Sequence, residues 1–367
     1  MKIVADQNIP LLTELFADLG EVVALPGREL GAGDIGNADI LLVRSVTTVN
    51  QSLLKNSGVK FVGTCTIGTD HLDTDFLAQQ SITWASAPGC NANAVVQYVF
   101  SAMAFAQPDW LQATVGIIGW GNIGRRLYQR LTALGVRCRV YDPLLTAAHC
   151  PGLTTLAQVL ACDIITCHTP LTTSGPFPTY HLLGEQQLQT INPGALLINS
   201  GRGAVIDNQA LANYLSQKSV TVVLDVWEPE PAIDRQLLQQ VTLGTPHIAG
   251  YSVEGKEQGS WQIYEALSQF LQQPIDPDKN HYLTCSKSII DTIDTDQSLP
   301  QQLNQLLLRC YPITDDDQAL RQQMDFDRLR KYYPYRREYT GFELSRSLQA
   351  GPLAHYFSII SGSARAC

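Results

Sequence analysis

Val115-Gly116-Ile117-Ile118-Gly119-Trp120-Gly121-Asn122-Ile123-Gly124 is the stretch whose reading decides the fold. The apolar run over 115–118 reads as a strand. The three glycines behind it have the spacing of a loop that cradles the pyrophosphate of a dinucleotide. Gly119 permits the tight strand-to-helix turn, Gly121 lets backbone approach the phosphates, and Gly124 lets the helix expected over 123–134 pack on the sheet. The N-terminus of that helix, opening at Asn122 and Ile123, then faces the anionic oxygens. A second strand ends at Asp142, 18 residues past Gly124. A carboxylate at that point accepts hydrogen bonds from an adenosine ribose and repels a 2′-phosphate, which favours NAD over NADP. Arg125, Arg126 and Arg139 weigh slightly the other way. Alone, the glycines would be turn residues; the complete βαβ unit around them makes the nucleotide reading the stronger one.

Working outward, further strand-like runs lie at 136–141, 164–167, 195–199, 220–225 and 243–244. Thr169-Pro170-Leu171 follows the strand ending at His168 and makes Thr169 a second expected cofactor contact. Asn199-Ser200-Gly201-Arg202-Gly203 closes one strand, Asp225-Val226-Trp227-Glu228-Pro229-Glu230-Pro231 the next, and Thr245-Pro246-His247-Ile248-Ala249-Gly250 the third. In a parallel sheet all of them fall on the edge that carries the glycine loop. Arg202 offers a planar fork of donors for a carboxylate and for the neighbouring C2 oxygen. His247 can take a hydroxyl proton during oxidation and return it during reduction, while Glu230 orients the ring and stabilises imidazolium. Singly these are a surface turn, a core histidine and a solvated loop residue. At three successive strand ends they form the constellation needed to oxidise a hydroxy acid by hydride transfer. His71 and Asp73, in Gly68-Thr69-Asp70-His71-Leu72-Asp73, read as a loop brace instead.

At 367 residues the chain has room for roughly two to three domains. Hydrophobic residues at 45% and charged residues at 16% belong to a globular protein without extended disorder. A net charge of −9 gives no general pull toward nucleic acid or anionic lipid, so an anionic ligand must be held by a local cluster of donors. The N-terminus enters a strand pattern directly and no run is long enough to span a membrane, from which a cytoplasmic location is expected. The nine cysteines show none of the paired spacings of a zinc site, so no metal is expected and the thiols read as reduced and mostly buried.

Residues 1–90 alternate short apolar runs (2–5, 40–43, 60–64, 83–85) with helix-like stretches at 10–19 and 52–56, the pattern of a helix-covered parallel sheet. An Ala-rich helix is expected over 91–106, and another over 255–272 that carries the chain back to the first domain. The expected class is therefore α/β, with two Rossmann-like parallel-sheet domains and a small C-terminal α+β domain. The boundaries read as 1–92 with 251–280, then 93–250, then 281–367. The tail adds apolar stripes without a core of its own size, which predicts a homodimer through it. Ser361 to Cys367 follow no pattern.

Residues 38–275 resemble the D-2-hydroxyacid dehydrogenase family. The resemblance rests on Gly63-Thr64-Cys65-Thr66-Ile67 running into the 68–73 loop, on 119–124, on Ser200 to Gly203, on 225–231 and on 246–250. A narrower resemblance points to the branch that oxidises 4-phospho-D-erythronate to 2-oxo-3-hydroxy-4-phosphobutanoate in pyridoxal 5′-phosphate (vitamin B6) biosynthesis. It rests on Val43-Arg44-Ser45-Val46-Thr47, Leu224 to Glu228, His247 to Ser252, Asp315-Asp316 and Tyr333-Pro334-Tyr335-Arg336-Arg337-Glu338. The resemblance implies catalysis by Arg202, Glu230 and His247. It implies NAD contacts at Asp142, Thr169, Ser200, Gly201, Asp225 and Gly250, and substrate contacts at Ser45, Thr66 and Tyr251. It also implies that the tail is a dimerisation domain and the discontinuous first domain the substrate-binding one. No motif marks a phosphate pocket; Arg44, or Arg336 or Arg337 across a dimer interface, are the candidates. A 3-phosphoglycerate or glyoxylate type of dehydrogenase is the alternative within the family, and an NAD-sensing regulator the alternative outside enzymology. Glu230 sets the chain apart from formate dehydrogenases, whose histidine pairs with glutamine.

Overall fold

The structure, a computed structural model, describes residues 1–362; residues 363–367, the end of the patternless Ser361-to-Cys367 stretch, lie outside the described residues. The chain divides into two compact units, 1–91 with 252–286, and 92–251 with the segment from 287 onward.

The first unit is built on a five-stranded sheet of β1 (Lys2–Asp6), β2 (Glu21–Leu25), β3 (Ile40–Val43), β4 (Phe61–Thr64) and β5 (Thr83–Ala85), in the order β2-β1-β3-β4-β5. Every pairing is parallel. β3 and β4 are buried along their whole length, as expected of strands covered by helices on both faces. The helix Val253–Phe270 sets Trp261, Ile263, Tyr264 and Leu267 into the core with Leu15, Phe16 and Phe61. Gly63 makes that approach possible, since a Cβ there would lie 2.5 Å from Ile263. The turn Pro277–Tyr282 stays with this unit, which runs to residue 286. The reason is Lys279, whose buried ammonium donates to Leu15 O at 2.9 Å and pairs with Asp18 at 2.8 Å.

The second unit carries β6 (Thr114–Ile118), β7 (Arg137–Tyr141), β8 (Ile164–Cys167), β9 (Leu196–Asn199), β10 (Thr221–Leu224) and β11 (Leu243–Gly244). Their order is β11-β10-β9-β8-β6-β7, again all parallel. The register aligns their last residues: Ile118 pairs with Tyr141 and Cys167, Cys167 with Asn199, Asn199 with Leu224, and Leu224 with Gly244. The loops leaving these strands therefore stand in one row. β6 lies where the strand order reverses, the position at which open α/β sheets receive ligands.

The tail falls within the second compact unit. Its helix Leu299–Cys310 buries Leu303, Leu306 and Leu307 in the core that also holds Val99 and Met103 of the helix Ala92–Ala106, and Leu196 of β9. A polar clasp reinforces the seam: Trp110 Nε1 donates to Asn304 Oδ1 at 2.8 Å, and Asn304 Nδ2 donates to Pro108 O at 2.8 Å. The apolar stripes that predicted an intersubunit interface are thus partly covered inside the chain. A short parallel pair, β12 (Ser288–Ile290) with β13 (Phe342–Leu344), completes the segment. Leu307 is fully buried. Leu307→Ala should therefore cost about 2–5 kcal/mol in chemical denaturation; an unchanged midpoint would mean that the tail is only loosely attached.

Candidate active site

Two of the three glycines in the nucleotide loop answer to the protein itself. Gly119 has φ +100°, and a Cβ there would lie 2.9 Å from His168 O. A Cβ on Gly124 would lie 2.0 Å from Gly119 O, so only glycine lets the helix Asn122–Ala133 sit this close to its loop. Gly121 is different, because among the described residues no atom beyond its chain neighbours and the helix's own backbone lies within 4 Å of a Cβ placed there. Its lack of a side chain serves whatever approaches from outside. Gly121 also starts the helix without a side-chain cap, leaving first-turn N–H groups for an anion.

Asp142 accepts from Trp120 N at 3.0 Å and from Leu144 N at 3.1 Å, so it braces the glycine loop with one lone pair on each oxygen engaged. Of the arginines that weighed toward NADP, Arg126 is bonded to Asn93 at 3.2 Å and Arg139 to Gln158 O at 3.1 Å. Along the same edge the hydroxyls of Thr169 and Ser200 are buried without a hydrogen-bond partner. His168 bonds through Nε2 to Thr166 at 2.8 Å, and burial pushes its pKa down to about 3, so it stays neutral. An uncapped helix start, an open glycine and buried hydroxyls with spare hydrogen-bonding capacity fit a dinucleotide.

Arg202 leaves β9 in a loop tied by Asn199, which donates to Arg202 O at 3.0 Å and accepts from Gly201 N at 3.1 Å. A Cβ on Gly201 would lie 3.2 Å from Thr169 O, and one on Gly203 only 1.8 Å from Trp227 O. The Arg-Gly step is thus pressed against the loop that carries Glu230. Arg202 Nη1 donates to Gly201 O at 3.0 Å.

Glu230 Oε1 accepts from Trp227 N at 2.9 Å, and its Oε2 meets His247 Nδ1 at 2.7 Å. Burial alone would raise the Glu230 pKa. The hydrogen bond and charge of His247, the Trp227 N–H and the charge of Arg330 outweigh it and hold the carboxyl below its ordinary range. With Nδ1 turned to Glu230, Nε2 is the ring atom left for a substrate proton. His247 has φ +55°, a left-handed conformation that costs a non-glycine residue energy.

Asp225 explains how that conformation is kept. Buried, it accepts from Thr245 Oγ1 at 2.7 Å, Ile248 N at 2.8 Å and Ala249 N at 2.9 Å. The carbonyls of the same two residues are held by Arg336, which donates to Ile248 O at 3.2 Å and to Ala249 O at 2.9 Å. Arg336 also donates to Ala94 O at 2.7 Å and lies 3.9 Å from the Tyr311 ring centroid. It is 6% exposed with its donors committed to protein acceptors, and Arg337 is 8% exposed.

Tyr251 follows Gly250 in the turn closed by Tyr251 N to Ile248 O at 2.7 Å. In the first unit, Ser45 and Thr66 follow β3 and β4, whose last residues Val43 and Thr64 are paired. Thr66 Oγ1 bonds Thr64 Oγ1 at 2.8 Å, which in turn bonds His71 Nε2 at 2.9 Å. Asp73 does not pair with His71; it caps the helix Thr74–Gln79 through Phe76 N at 3.0 Å. Arg44 Nε pairs with buried Asp6 at 2.8 Å. Sequence reasoning missed His181, which bridges Glu228 at 2.8 Å and Asp207 at 3.5 Å.

Residues 92–249 match the model of the D-isomer specific 2-hydroxyacid dehydrogenase NAD binding domain, which defines the class: an NAD-dependent dehydrogenase. Residues 287–353 match a domain of unknown function, DUF3410. The chain belongs to the erythronate-4-phosphate dehydrogenase family. It is 49% identical to the erythronate-4-phosphate dehydrogenase of Cellvibrio japonicus over 98% of this chain and 99% of that one. It is 47% identical to that of Proteus mirabilis over 94% of both. The fold is shared with NAD-bound 3-phosphoglycerate dehydrogenase of Entamoeba histolytica, at TM-score 0.65 and 22% identity over 74% of this chain and 95% of that one.

A Cβ at residue 203 cannot avoid the Trp227 carbonyl without moving one of the two loops. Gly203→Ala should lower thermal stability by about 1–3 kcal/mol and reduce kcat. Wild-type turnover in this variant would show that the spacing of these loops does not matter to the chemistry.

Proposed function

We propose that the protein oxidises 4-phospho-D-erythronate at C2 to 2-oxo-3-hydroxy-4-phosphobutanoate with reduction of NAD, a step of pyridoxal 5′-phosphate biosynthesis. The observation that carries the reading is the 2.7 Å His247–Glu230 pair, set at strand ends in register with the nucleotide loop. The names and near-complete coverage of the relatives support the choice of substrate.

NAD, when bound, supplies the acceptor for the hydride that leaves C2. It would be held by the 119–124 loop, Asp142, Thr169, Ser200, Gly201 and Asp225, with Gly250 as a backbone contact. His247 Nε2 takes the C2 hydroxyl proton as the C–O bond becomes a carbonyl, and Glu230 holds Nδ1–H and stabilises the imidazolium that results. Arg202 binds the C1 carboxylate and polarises the C2 oxygen. Ser45, Thr66 and Tyr251 contact the rest of the acid. Asp225 is a positioning residue for the His247 loop.

The protein acts in the cytoplasm on this reading, and the eight free thiols among the described residues fit a reducing compartment. Two chains pair through the segment from 287 onward, a proposal supported by its Ile289, Tyr332 and Tyr335, which are about 70% exposed. Light scattering of Ile289→Asp and Tyr335→Asp should show monomers, and a dimer in both would sink the pairing surface.

NADH formation from 4-phospho-D-erythronate tests the activity, with 3-phosphoglycerate beside it; turnover of the second acid alone would overturn the substrate. His247→Ala should lower kcat on the order of 10²–10⁴-fold with NADH binding retained. Arg202→Ala should lower kcat/KM with NADH binding likewise retained. Undiminished turnover in either variant removes that residue from the mechanism.

A further inference from the structure

Arg330 lies in the tail helix Phe326–Lys331, in the same compact unit as Glu230, His247 and Tyr251. Its guanidinium carbon stands 5.7 Å from the centroid of the Tyr251 ring and 5.8 Å from that of Phe326. Nε is buried without a hydrogen-bond partner, and the side chain makes no hydrogen bond or ion pair among the described residues. Arg330 itself is half-buried, and a guanidinium held between aromatic faces is oriented and keeps its terminal donors for an anion.

The location narrows which anion. The charge of Arg330 reaches Glu230, so the cation borders the site of proton transfer. A four-carbon acid phosphorylated at C4 carries negative charge at both ends, and Arg202 answers only the carboxylate beside C2. Of the other candidate cations, Arg44 has its Nε committed to Asp6, and Arg336 is buried with its donors on backbone carbonyls. We propose that Arg330 receives the terminal phosphate of the substrate, from within the same chain as the catalytic histidine. This rests on the reading of the reaction given above. The planar fork presents its terminal nitrogens to two phosphate oxygens.

The test compares kcat/KM for 4-phospho-D-erythronate with kcat/KM for unphosphorylated D-erythronate, in wild type and in Arg330→Met. The ratio of the two should fall about 10- to 100-fold in the variant, the loss expected for charge-assisted hydrogen bonds. The fall should appear mainly in KM for the phosphorylated acid, and inorganic phosphate should inhibit the variant more weakly. An unchanged ratio overturns the inference, including the case in which both acids lose activity equally because Arg330 only adjusts Glu230. Wild type that oxidises neither acid overturns the underlying reading instead, and the inference with it. If Arg330→Met does not fold, Arg330→Lys decides by the same ratio, because it keeps the charge and loses the fork.

Discussion

The active centre depends on a two-sided grip on one dipeptide. Asp225 takes the N–H groups of Ile248 and Ala249, and Arg336 takes their carbonyls. Both side chains are buried, where charge-assisted hydrogen bonds are strong and an unpaired charge is expensive. Between them they fix the segment that follows His247 and hold that residue at φ +55°. Tyr98 extends the grip: because Thr245 donates to Asp225, the 2.8 Å contact between the two hydroxyls has Tyr98 as its donor. The imidazole is aimed by backbone that cannot relax, and Glu230 then fixes its rotation.

Around that grip, the sheet supplies a common baseline. Paired final residues on neighbouring parallel strands bring the nucleotide loop, Asp142, Thr169, Arg202, Asp225 and His247 to one edge, though up to about 130 residues separate them in sequence. Glycines close the remaining gaps, with Gly201 set against Thr169 O and Gly203 against Trp227 O. Where strand register makes the coarse alignment, these contacts make the fine one.

Much of this was legible in the residues because the signals are local. An apolar run followed by Gly119-Trp120-Gly121 can hardly be anything but a strand and its turn, and the helices Ala92–Ala106 and Val253–Phe270 stand within two residues of their expected limits. The strand Glu21–Leu25 escaped notice because it is a half-exposed edge strand whose apolar run is short. The apolar stripes of the tail have no partner nearby in sequence, so their packing on the helix Ala92–Ala106 could not be read from it. That Asp225 and Arg336 grip the loop after His247 could not be read from the sequence, since the backbone groups they hold lie at 248 and 249. Arg330 gave no signal beyond its place near an aromatic and basic run, and what distinguishes it, a buried nitrogen beside Tyr251, exists only in three dimensions.

One half of the grip on Ile248 arrives 88 residues after it in the chain. On the ribosome, every strand of the second sheet can be complete while that carbonyl still waits for its donor. A polypeptide broken off before residue 336 keeps the nucleotide loop, the arginine, the glutamate and the histidine, yet lacks the cation that seats them. The order of synthesis therefore leaves the histidine loop half held until Arg336 has been added.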